Sequence, residues 1–85
     1  MNIRPPPYTP IPCARYSELE LAIMHRRTLR LALRGGRHPG RISTLRPLDL
    51  RTRRHAEYLI GRTPAGTLRV LRLDRILRML DGNPG

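Results

Sequence analysis

A chain of 85 residues is one domain and no more, and its core is thin because small domains leave much of their surface in water. Seventeen arginines, no lysine and six acids give a formal charge of +11, which points to a polyanion or an acidic protein face as partner. One cysteine excludes an internal disulfide and a cysteine-based zinc cluster, no apolar run nears the roughly 20 residues of a membrane span, and a core without Phe or Trp leaves no room for a dry catalytic cavity.

Five prolines among residues 1–12 (Pro5, Pro6, Pro7, Pro10, Pro12) predict an extended, partly disordered arm. The flexible part of that arm is placed at residues 1–7, a single domain at 8–80 and a flexible tail at 81–85. The arm lacks the apolar stretch of a signal peptide, so the default compartment is a reducing cytoplasm. Ser17-Glu18-Leu19-Glu20 has the spacing of a capping box, in which Ser17 accepts from the Glu20 amide and Glu20 reaches back. Leu19, Ala22 and Ile23 follow at helical spacing, which predicts a helix over about residues 18–25.

Beyond the helix the period changes to two. Leu29, Leu31 and Leu33 alternate with Arg30, Ala32 and Arg34, the pattern of a half-buried strand, and Gly35-Gly36 predicts a turn. Gly40–Leu45 reads as a second strand. Pro47 and the run Arg51–His55 read as a long polar connection. Glu57-Tyr58-Leu59-Ile60 predicts a third strand, Pro64-Ala65-Gly66 a tight turn, and Thr67–Leu73 a fourth strand returning antiparallel. On that strand Leu71 and Leu73 share the core face, while Leu68 and Val70 lie on a face expected to be partly covered, leaving room for a weak dimer beside the monomer. Ile76–Leu80 suits a closing strand or a helical turn. One helix and about five short strands make a mostly β fold, a small, strongly bent antiparallel barrel.

No catalytic constellation emerges. Cys13, His25, His38 and His55 are not held near one another by any motif, and Cys13 suits a small apolar plug better than a nucleophile. The histidines lack the pairing of a metal site, and Gly35–Gly40 lacks the ending of a phosphate loop, so no cofactor or metal is expected. What remains is arginine. Arg37 and Arg41 frame a turn, and Arg51, Arg53 and Arg54 cluster in the polar connection; guanidinium forks at these positions suit phosphate oxygens. The competing reading is a solvated basic coat, since aromatics for base stacking are nearly absent.

Tyr8-Thr9-Pro10-Ile11-Pro12-Cys13, Tyr16, Leu19-Glu20-Leu21-Ala22 and His25 resemble the opening of the Rof family of bacterial Rho-binding antiterminators. The likeness continues through Leu29–Leu33, Gly36, Glu57-Tyr58-Leu59, Gly66, Arg69 and Leu71–Ile76, about residues 8–76 in all. It implies an Sm-like barrel with an N-terminal helix. It also implies a protein that binds the N-terminal RNA-binding region of termination factor Rho, blocks RNA entry and reduces Rho-dependent termination; from the thin core and the missing catalytic constellation, no enzyme is expected. The contact this suggests is acidic: Glu18, Glu20 and Asp74. Family inhibitors are rich in acids after the cysteine, whereas here Arg15 precedes Glu18 and Glu20. The alternative is an Sm-like nucleic-acid-binding protein gripping RNA phosphates through Arg37, Arg41, Arg51, Arg53 and Arg54.

Overall fold

A computed structural model describes residues 7–35 and 40–80. The elements run α1 (Cys13–Met24), β1 (Leu29–Leu33), β2 (Ile42–Arg53), β3 (Ala56–Arg62), β4 (Leu68–Arg72), a 3-10 turn (Leu73–Arg75) and β5 (Ile76–Met79). All pairings are antiparallel, in the order β4-β3-β2-β1-β5. The fold is therefore mostly β, with one N-terminal helix. The sheet is bent and stays open, because β4 and β5 are its two edges rather than partners of one another.

Helix α1 starts five residues earlier than its sequence suggests. The Pro12 carbonyl accepts from the amides of Arg15 and Tyr16 (3.0 and 3.1 Å), so the first turn is built on Pro12, with no side-chain cap. Ser17 thus lies mid-helix and exposed, and the predicted capping box does not form. The same shift carries Cys13 into the first turn, where it is exposed and not an apolar plug. At the other end His25 closes the helix. The Arg26 amide then donates to Ile23 and the Arg27 amide to Ala22, while Arg26 takes φ +55°. This is a Schellman ending with arginine in the left-handed position that glycine normally fills.

The predicted long connection at 47–55 is instead strand. β2 runs unbroken for 12 residues, pairing with β1 through Leu45 and with β3 from Arg46 onward. Pro47 does not break it, because the register shifts between Pro47 and Asp49, and a bulge tolerates a residue with no N–H to donate. The strand bends there, and β3 comes so close that a Cβ on Gly61 would stand 2.6 Å from Leu45 Cγ and 2.8 Å from the Arg46 carbonyl. Arg54 and His55, with φ +51° and +67°, make the two-residue turn into β3. The turn at Thr63–Gly66 forms as expected, closed by the Gly66 amide on the Thr63 carbonyl at 2.8 Å with Gly66 at φ +88°.

The core is almost entirely leucine. Leu19, Leu31, Leu45, Leu59, Leu73 and Ile76 are fully buried, with Ala22, Leu29, Leu33 and Leu71 around them. Each buried leucine or isoleucine contributes about 1.5–3 kcal/mol by leaving water. On β1 Leu29, Leu31 and Leu33 are buried and Arg30 is exposed as predicted, but Ala32, expected on the polar face, is buried too; Leu71 and Leu73 face inward as expected. Leu68 and Val70, whose face the sequence leads one to expect partly covered, are instead 52% and 58% exposed, because β4 is an edge strand with no element over that face. Ile76–Met79 resolves as a strand. Residues 1–6 of the arm predicted at 1–7, the turn at Gly36 and the tail at 81–85 lie outside the described residues.

Candidate functional site

Successive residues on a helix are turned by about 100°, so the two neighbours of a buried residue flank it on opposite sides. Leu19 points into the core, which sends Glu18 to one flank of α1 and Glu20 to the other, both exposed. The crest between them carries Ser17, Leu21 and Met24, the last two 50% and 71% exposed. Neither glutamate has a hydrogen-bond or ion-pair partner among the described residues. Arg15 is the sole arginine between residues 5 and 25, and it turns away from this face. Its Nη1 and Nη2 donate to the carbonyls of Ile76 and Leu77 at 2.8 and 3.0 Å, where the β1–β5 register shifts. The basic residue that interrupts the acidic stretch in the sequence is therefore a clamp on β5. What α1 presents outward is an apolar crest between two carboxylates on a body of charge +11.

Asp74, the third acid singled out from the sequence, occupies a different place. Its Oδ1 accepts from Arg72 Nε at 2.7 Å, and its Oδ2 from Arg72 Nη2 at 2.8 Å and the Thr9 amide at 3.0 Å. The side chain is only 10% exposed. Burial would raise its pKa, but the Arg72 fork, the Thr9 amide and the positive charge of Arg72 and Arg34 outweigh it and hold the carboxyl below its ordinary value. Asp74 ties the arm to the body.

Tyr8 completes that tie: its hydroxyl donates to Glu57 Oε1 at 3.0 Å, and the Arg72 guanidinium lies 5.8 Å from its ring centroid. Burial, then the bond to Glu57, pushes the Tyr8 hydroxyl up to about 12. Tyr16 is raised as well, by burial first and then by the charges of Glu57, Glu20 and Asp49. The segment from Pro7 to Pro12 is thus fastened to the body where the prolines alone predict a partly disordered arm. Nothing in the sequence announces this meeting, since Thr9 and Asp74 stand 65 residues apart and Tyr8 and Glu57 stand 49 apart.

The arginines chosen from the sequence do not form one patch. Arg41 precedes one end of β2, while Arg53 is the last residue at its other end and Arg54 lies in the hairpin turn that follows. Arg51 is paired with Asp49 at 3.0 Å. Arg37 lies outside the described residues. Among the described residues no three of His, Cys, Asp and Glu gather as a metal-holding group, and no helix is long and apolar enough to cross a membrane.

Residues 10–84 match the family described as modulator of Rho-dependent transcription termination, ROF. The chain is also similar to Protein rof of Escherichia coli K12, with 41% identity over 69 residues, which covers 81% of this chain and 76% of that protein. Protein rof of Shigella flexneri matches to the same extent.

Proposed function

We propose that this chain, which belongs to the ROF family of modulators of Rho-dependent transcription termination, acts by binding Rho at its RNA-binding region and lowering termination. The outward face of α1 makes the contact, with Glu18 and Glu20 meeting basic groups on either side of Leu21 and Met24. The observation that carries this reading is the pair of carboxylates, without partners among the described residues, on a helix whose one arginine is turned away. A surface that binds single-stranded RNA must itself be basic, and a body of charge +11 is repelled by it at long range. Charges separated by more than about 8 Å at physiological salt are largely screened, however, so the sign of the docking face decides. Burial of Leu21 and Met24 adds about 25 cal/mol for each Å² removed from water. Asp74 serves the fold in this arrangement, which leaves the two glutamates as the acidic contact.

Binding to the isolated RNA-binding domain of Rho tests the proposal, with a single-stranded RNA as competitor. Glu18→Lys combined with Glu20→Lys should weaken the complex by about tenfold or more, since each reversal replaces an attraction by a repulsion. Circular dichroism on the double variant checks that α1 survives. Equal affinity of variant and parent, or no competition with RNA, overturns it.

A further inference from the structure

A second charged feature lies at the bend of the sheet, where α1 ends. Arg46 of β2 and Arg62 of β3 are direct cross-strand partners. Like charges placed opposite one another weaken an antiparallel pair, and neither arginine has a carboxylate partner among the described residues. Arg62 instead donates from Nη1 to the Gly66 carbonyl at 2.9 Å, which steadies its fork at the rim of a cleft of about 460 Å³ lined by Thr28, Arg46, Arg62, Thr63 and Pro64. A neighbouring cleft of about 310 Å³ is lined by Ile23, Arg26, Arg46, Pro47 and Leu48. The two share Arg46.

Arg26 reaches the second cleft from a left-handed backbone, at the position after a helix where glycine is the least strained residue. Two locally unfavourable choices, opposed cations and a side chain at φ +55°, thus fall on residues that line two clefts sharing Arg46. Strain of this kind points toward function where the same residues line a cleft. Among the described residues no acid lines either cleft, and the threonine hydroxyls add neutral donors. Guanidinium forks and hydroxyls lining the same clefts suit phosphate oxygens. Two open clefts that share an arginine suit a chain of phosphates better than a single small anion, and among the described residues no aromatic side chain lines them to select a base.

We propose that Arg26, Arg46 and Arg62, with Thr28 and Thr63, bind the phosphodiester backbone of single-stranded RNA without regard to sequence. This site is separate from the glutamates of α1, so its test needs no Rho and its outcome does not depend on theirs. The full chain is titrated into a short labelled oligouridine across a range of salt. Arg46→Gln with Arg62→Gln should weaken binding by about tenfold and flatten the log–log salt slope by about 1.4, at roughly 0.7 for each phosphate no longer neutralised. Arg53→Gln with Arg54→Gln removes the same charge from the hairpin tip and should change affinity less than about twofold. Arg62→Lys keeps the charge without the fork, and should keep the slope while losing affinity several-fold. Equal losses in the cleft and tip variants overturn the proposal in favour of a diffuse basic coat, as does RNA left free by micromolar protein at about 50 mM salt.

Discussion

Arg26 holds a conformation that ordinary L-residues avoid, at φ +55°, and so bears a cost that glycine would not. Arg26→Gly should therefore stabilise the chain by up to about 1 kcal/mol, less what the more flexible unfolded chain takes back. A higher urea midpoint at unchanged m-value would show it, and an unchanged or lower midpoint would mean that Arg26 makes stabilising contacts that outweigh its backbone. The proposed RNA contact predicts that the same substitution weakens RNA binding, so that stability and affinity move in opposite directions. Neither the strain nor the contact is legible from Arg26-Arg27 in the sequence. An arginine after a helix reads as an ordinary dipole partner until the chain's direction past the cap is known.

At the scale of elements, the bend in β2 shapes the whole sheet, and Gly61 is the residue on β3 that lets the two strands close on it. Gly61→Ala sets a methyl against Leu45 and a backbone carbonyl, one of which must shift. Overpacking of this kind costs about 1–3 kcal/mol, measurable by thermal or urea unfolding, and a variant as stable as the parent would show that the bend is soft. The core strands are legible because an alternation such as Leu29-Leu31-Leu33 fits a strand whose leucine face is buried, although burial of Ala32 on the other face is not announced by it. The long β2 is not, because Pro47 looks like an end, and the signal that it is a bulge comes from pairing with β3. The turn at Arg54-His55 is equally hidden. Positive φ at both positions favours Asn-Gly, and neither residue stands there. The start of α1 is obscured because Ser17 and Glu20 have capping spacing whether or not the helix begins between them.

For the whole molecule, the tie between arm and body makes stability depend on alkaline pH. The Tyr8 hydroxyl has an ordinary value of 10.0 and is pushed up to about 12, so between these the folded chain keeps a proton that the unfolded chain has lost. The contribution is fully present below pH 10 and is lost as pH rises through about 12. Tyr8→Phe should flatten the fall in urea midpoint over that range, leaving the share due to Tyr16, which is shifted in the same direction. A fall of equal depth in the variant would place the dependence elsewhere. Net charge is legible at once, but its distribution is not. Seventeen arginines announce a basic surface, and only the folded chain shows Arg15 withdrawn to β5 and Glu18 and Glu20 left alone on α1. That withdrawal also bears on assembly. An open sheet grows into a filament when each copy offers one free edge to the opposite edge of the next, a contact that repeats without closing. On β5 two carbonyls are already taken by the Arg15 guanidinium, so a strand arriving from another copy's β4 meets an occupied ladder. Two β4 edges paired antiparallel would be related by a two-fold axis, and such a contact closes on itself. Growth through β5 would first have to displace the Arg15 clamp from the carbonyls it holds.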